Sequence, residues 1–145
     1  MRGLIQRVSS ASVNIDGQCY ASIEQGILLL LGIEAADGVA QSEKLISKVL
    51  NYRVFADAQG RMNRSLKDIN GELLVVSQFT LVADTKKGLR PGFSKAAAPE
   101  AAENCYEDFL MRLKARYPQV VSGVFAADMQ VSLCNDGPVT FLLET

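Results

Sequence analysis

The sequence predicts an α+β fold: a single domain over residues 1–145, with a largely antiparallel, barrel-like β-sheet and two main helices packed outside it. Three observations predict this. About seven stretches carry the alternation or continuous apolar run of a strand, against two with helical spacing. Strands and helices follow no regular βαβ alternation. The 145 residues, 48% hydrophobic and 21% charged, suffice for one core and contain no repeat or low-complexity tract.

Residues 3–15, "GLIQRVSSASVNI", mix β-branched and polar residues and read as one long strand, broken or bulged near Ser9–Ala11. Asp16-Gly17 is a hairpin signal, and "QCYASI" (18–23) returns as a second strand. After Gly26, "ILLLLGI" (27–33) is a buried strand, far too short to span a bilayer. A first helix is expected over 37–53, with Val39, Leu45, Ile46, Val49, Leu50 and Tyr52 on its apolar face. A short strand follows at 53–57, and the polar, turn-rich stretch after it reads as loop. "ELLVVSQFTLVAD" (72–84) is expected to run through the core as a strand. Pro99 suits the first turn of a second helix, whose face is Tyr106, Phe109, Leu110, Leu113 and Tyr117 and which Pro118 stops. Residues 128–135 and 139–144 read as a terminal strand pair.

Composition excludes several chemistries. The chain has no histidine, so Ser-His-Asp and Cys-His catalysis and His-ligated metals are out. Cys19, Cys105 and Cys134 are widely spaced and odd in number, as expected of buried reduced thiols in a cytosolic protein. The opening "MRGLIQRVSSASV" lacks the apolar segment of a signal peptide, so a cytoplasmic location is expected. A formal net charge of -1 argues against a globally basic nucleic-acid binder and leaves room for a local basic patch.

Three stretches place polar groups where chemistry could sit. In "SQFTL" (77–81), Ser77, Gln78 and Thr80 interrupt an apolar run. Either the strand ends there and they face water, or they rim a pocket. In the pocket reading Gln78 offers an amide, and the N–H groups of Phe79 and Thr80 polarise a carbonyl oxygen. Thr80 as nucleophile would need a base that no histidine supplies. The loop "TKKGLRPGFSK" (85–95) carries Lys86, Lys87, Arg90 and Lys95. It is either a wet surface loop or a phosphate contact, with Phe93 free to stack on a base. In "NDGPVTFLLE" (135–144), Asp136-Gly137 signals an ordinary hairpin, for which a trans proline is the local expectation. Pro138 sits awkwardly there, because it removes a ladder donor.

"SQFTL" together with "NDGPVTF" (135–141), in a chain of this length containing "LIQRV", "RPGFSK" and "FAADMQVSL", resembles the D-aminoacyl-tRNA deacylase family along its whole length. The resemblance implies hydrolysis of the ester joining a D-amino acid to the terminal adenosine of tRNA, without metal or organic cofactor. It implies a homodimer with its sites at the subunit interface, and neither membrane nor DNA as partner. Ser77, Gln78, Phe79 and Thr80 would line the catalytic pocket. Gly137 and Pro138, joined by a cis peptide, would reach into the partner's pocket as a chirality filter. Lys86, Lys87, Arg90, Phe93 and Met129 are the candidate tRNA contacts, and Arg7 the support for the Gly-Pro carbonyls. Glycyl-tRNA, lacking a side chain, should pass such a filter. The rivals are a non-catalytic tRNA-binding module and a hydrolase of free D-amino-acid esters.

Overall fold

The computed structural model describes residues 1–86 and 88–145. Its strands are β1 (Arg2–Ile15), β2 (Gln18–Ile23), β3 (Gly26–Gly32), β4 (Phe55–Ala56), β5 (Met62–Arg64), β6 (Glu72–Ser77), β7 (Val120–Ser122) and β8 (Gln130–Glu144). Its helices are α1 (Val39–Asn51), α2 (Leu66–Ile69) and α3 (Pro99–Arg116). The long strand β1 organises the sheet. It pairs with β3 along Arg2–Val8, with β2 along Ala11–Ile15, and with β8 from Arg2 to Asn14. Asp16 and Gly17 take φ of 51° and 76°, the paired left-handed geometry that a tight two-residue hairpin requires.

The domain is α+β, and its barrel-like sheet is mixed. β3 pairs parallel with β6, and β6 parallel with β7, which corrects the expectation of a largely antiparallel sheet. The cause is connectivity. A parallel pair needs a long crossover, and α1 lies on the one between β3 and β6, α3 on the one between β6 and β7. Short elements between α1 and β6 hide that alternation in the sequence. The stretch read as loop holds the β4–β5 hairpin and α2, a third helix of one turn capped reciprocally by Ser65 and Asp68.

The two faces of the sheet are buried differently. Ile27, Leu29 and Leu31 of β3, with Leu73 and Val75 of β6, pack under Leu45, Ile46, Val49 and Leu50 of α1 and Tyr106, Phe109, Leu110 and Leu113 of α3. Leu28, Leu74 and Val76 point the other way, into a smaller cluster with Val8, Val13 and Ile23. Burial on both faces is why 27–33 reads as a continuous apolar run. The Tyr106 hydroxyl donates to the Val75 carbonyl at 3.2 Å, and burial pushes its pKa well up. Cys19 and Cys134 are exposed and Cys105 is half-buried, so the expectation of three buried thiols is corrected. The first two lie on β2 and β8.

β3 and β6 approach so closely that a Cβ on Gly26 would lie 1.9 Å from the Glu72 carbonyl oxygen. Gly26→Ala must push the strands apart. We expect about 3 kcal/mol of destabilisation, read as a lower urea midpoint at unchanged m-value.

The chain end differs most from expectation. Residues 128–144 do not form a strand pair: β8 is one strand lying along β1. Between the pairs Gln6–Thr140 and Val8–Asn135, the single residue Arg7 faces residues 136–139. Asp136, Gly137, Pro138 and Val139 therefore loop out of the ladder, and the Asp-Gly pair makes a bulge rather than a hairpin turn. The missing proline N–H falls where β8 makes no ladder bonds. A second irregularity lies between Val8 and Ser10, within the break read from the sequence.

Candidate active site

The strand expected over 72–84 stops at Ser77 because its partner stops. β3 ends at Gly32, and the chain folds back over that glycine, where a Cβ would stand 3.0 Å from Leu81 Cβ and from Val82 Cγ1. Gln78 still donates its backbone N–H to the Leu31 carbonyl (2.8 Å). Phe79–Val82 then form one 3₁₀ turn. As the first residues of that turn, Phe79 and Thr80 have backbone N–H groups with no acceptor among the described residues.

This corner forms one wall of a cavity of about 530 Å³ at the carboxyl ends of the parallel strands β3 and β6, the usual place for a ligand beside such strands. Ser77, Gln78 and Phe79 line it, with Val76 and Leu31 at its floor. Opposite lie residues 125–129, and Pro99 and Ala102 from the start of α3. The lining is chiefly apolar, so few polar groups set the orientation of anything bound.

Of the predicted site residues, Ser77, Gln78, Phe79 and Met129 come together at this cavity. Met129 is half-buried and lies over Gly123, where its sulfur would be 2.5 Å from an added Cβ. Thr80 is exposed beside the cavity, and its Oγ1 accepts a 2.6 Å hydrogen bond from the Gln78 amide. The basic loop joins the same corner. Phe93 packs on Phe79 with ring centroids 5.1 Å apart, and paired backbone bonds between Asp84 and Gly92 close the loop. Lys86 and Arg90 are exposed on it, and Lys87 lies outside the described residues.

Gly137 and Pro138 do not reach this cavity. Both are exposed, neither lines it, and the peptide between them is cis. Their loop is braced from two sides. The Asn135 side chain accepts the Val139 N–H at 2.6 Å and donates to Thr140 Oγ1 at 3.0 Å, closing the loop at its base. Arg7 donates from Nε to the Asp136 carbonyl at 2.7 Å and from Nη1 to the Val54 carbonyl at 2.6 Å, and it pairs with the Asp136 carboxylate at 3.4 Å. Arg7 thus grips the residue before the Gly-Pro pair, whereas the expected contact was to the carbonyls of the pair itself.

Sequence reasoning missed the far wall. Phe125, Ala126, Ala127 and Asp128 fall in "FAADMQVSL", where the residue types suggest no role. Ala126 has φ of 58°, a left-handed conformation that an alanine adopts only under constraint. Asn135 was missed as well; its signal was its place beside a proline that could not pair. No group of three or more Cys, Asp or Glu stands together as a metal site among the described residues. No helix among them is long and apolar enough to cross a membrane.

The family model described as D-Tyr-tRNA(Tyr) deacylase matches residues 4–144. The chain belongs to the D-Tyr-tRNA(Tyr) deacylase family. A "D-aminoacyl-tRNA deacylase" of Cellvibrio japonicus (strain Ueda107) is 60% identical over 144 residues, 99% of each chain. A solved structure titled "c-Myc DNA Unwinding Element Binding Protein" is 42% identical, with TM-score 0.96 over 100% of this chain and 99% of that one. A second, titled "Structural Analysis of a probable eukaryotic D-amino acid tRNA deacylase", covers 99% of this chain and 98% of its own at TM-score 0.84. At 13% identity it shows the fold alone. As a member of the deacylase family the chain is an enzyme, and the fold just described is the family's.

Proposed function

We propose that this enzyme hydrolyses the ester of D-aminoacyl-tRNA, with the aminoacyl end held at the Gln78–Thr80 corner and the Gly137–Pro138 loop of a second subunit closing over it. The observation that carries the catalytic half is the pair of N–H groups at Phe79 and Thr80, without an acceptor among the described residues, beside a largely apolar cavity. An aminoacyl ester is already activated. Placing it and stabilising the oxyanion supply most of what the reaction needs. The hydroxyl of Thr80 faces the Gln78 amide, which cannot take up a proton, so Thr80 positions rather than attacks. Proton transfer then falls to the substrate, whose free ribose 2′-hydroxyl adjoins the ester.

The homodimer is supported by β8. Among the described residues it pairs only with β1 and leaves its other edge open, with Leu133, Phe141 and Leu142 exposed along it. A long open edge with apolar side chains invites a partner strand. The Gly137–Pro138 loop lies on that strand and is held away from its own cavity. Reaching into the partner's cavity, it would meet the substrate's α-amino group with main-chain carbonyls and leave no room for an L side chain. Such a filter reads no side chain, so D-amino acids pass broadly, and glycine with them. The exposed Lys86 and Arg90, with Phe93 and Met129, would meet the acceptor end of the tRNA. A tRNA substrate supports a cytoplasmic location as part of this reading.

Purified protein should release D-tyrosine from D-tyrosyl-tRNA, and charge reversal at Lys86 and Arg90 should slow that release. No release would leave a non-catalytic tRNA-binding module. Equal activity on D-tyrosine ethyl ester, unaffected by the reversal, would make the protein a small-ester hydrolase.

A further inference from the structure

We propose that the β4–β5 hairpin and its flanks form a second RNA-contacting face, separate from the 85–95 loop, which binds phosphates of the tRNA body. The inference rests on the deacylase reading above.

The segment 53–68 holds Arg53, Arg61, Arg64 and Lys67 against Asp57 and Asp68, in a chain whose net charge is -1. All four cations are exposed. None makes an ion pair among the described residues. The two carboxylates are engaged by hydrogen bonds within the segment. Asp57 accepts the N–H groups of Gln59 and Arg61 (2.9 Å each) and the Asn63 amide (2.7 Å). Asp68 accepts the Ser65 N–H at 2.8 Å and hydroxyl at 2.7 Å. The amide of Asn63 and the N–H of Arg61 hold the Asp57 carboxyl below its usual value, and Ser65 does the same for Asp68. The result is a hairpin whose acids are engaged within it and whose cations are exposed; Arg64 Nη2 also donates to the Asp68 carbonyl at 2.6 Å. A merely solvated charge run has no need of that division of labour. Three of the four cations are arginines, whose forked donors suit phosphate oxygens.

Position supplies the second support. Arg64 and Arg7 line a polar recess of about 450 Å³ with Phe55, Ala56 and Asp136. Through Val54 and Asp136, the Arg7 guanidinium joins the base of the hairpin to the Gly137–Pro138 loop. Whatever cavity that loop closes, the hairpin is carried to its rim. A tRNA whose aminoacyl end occupies the partner's cavity would therefore pass this hairpin, while the 85–95 loop serves the cavity on its own subunit.

The test is steady-state hydrolysis of D-tyrosyl-tRNA by an Arg53→Glu, Arg61→Glu, Lys67→Glu variant, with D-tyrosyl-adenosine as a substrate that lacks the RNA body. We expect KM for the tRNA to rise at least about tenfold at unchanged kcat. The salt dependence of kcat/KM should flatten by nearly one logarithmic unit for each phosphate that the variant no longer neutralises. Turnover of D-tyrosyl-adenosine should match wild type. The milder Arg61→Gln, Lys67→Gln variant should move KM in the same direction, which guards against a folding defect in the triple variant. Unchanged KM and salt slope in both variants, with wild-type protein active on the tRNA, would overturn the inference and leave the deacylase reading standing. Wild-type protein inert towards both substrates would remove that reading, and the inference with it.

Discussion

Gly137→Ala is expected to lower kcat/KM on D-tyrosyl-tRNA about 100-fold, the scale on which displacement of a positioning group acts, and to collapse the preference for the D enantiomer. The physical reason is local. Gly137 has φ of 144°, where an L side chain is strained. An added Cβ would lie 2.7 Å from Val139 Cγ2 and 3.0 Å from Arg7 Nη2. Relief requires either that Val139 move, which loosens the Asn135 clamp, or that Arg7 retreat, which releases Asp136. Either way the Gly-Pro loop shifts while the Gln78–Thr80 corner stays intact. The fold should survive, since the strain is about 1–3 kcal/mol and confined to an exposed bulge. Circular dichroism and a melting curve check that survival. An unaltered ratio of D to L hydrolysis in a folded Gly137→Ala protein would mean that the loop plays no part in selection.

Thr80→Ala should retain turnover to within about tenfold, because it deletes one positioning hydrogen bond of roughly 1 kcal/mol. D-tyrosyl-tRNA ending in 2′-deoxyadenosine should instead be hydrolysed about 100-fold to 10,000-fold more slowly, the range over which a positioned proton-transfer group acts. The contrast follows from what surrounds the hydroxyl. Its partner is the Gln78 amide at 2.6 Å, which fixes the oxygen without activating it. The chain has no histidine to serve as base. The opposite pattern, a dead Thr80→Ala protein and normal cleavage of the deoxy substrate, would make Thr80 the nucleophile.

Much of the fold is legible in the sequence because local rules and packing agree. The ends of β2, the start of α3 at Pro99, the apolar face of α3 and the Leu45, Ile46, Val49 and Leu50 part of the α1 face follow from turn chemistry, capping and period. Val39 and Tyr52, expected on the α1 face, are instead exposed at its two ends. The errors fall where a long-range contact decides. Nothing in "VVSQFTLV" announces that β3 will end at Gly32, so the expected strand runs on past Ser77 into what is a 3₁₀ turn. Strand direction at β3, β6 and β7 depends on which edge each crossover reaches, and composition does not carry that. The turn expected at Asp136-Gly137 is a bulge because the same dipeptide suits both; only pairing with β1 distinguishes them. In the site, the residues with unusual polarity are visible in the sequence. The small apolar residues of the far wall, Ala126 and Ala127, are not, because alanine in a loop gives no chemical signal.

The central claim is that the protein selects the hand of the amino acid. The most direct measurement is the initial rate of hydrolysis of D-tyrosyl-tRNA and of L-tyrosyl-tRNA, on the same tRNA, by the same preparation. The account predicts that the D ester is cleaved and the L ester spared by a factor of at least about 100, a difference of roughly 2.8 kcal/mol that a steric clash readily supplies. Equal rates on the two esters would contradict it.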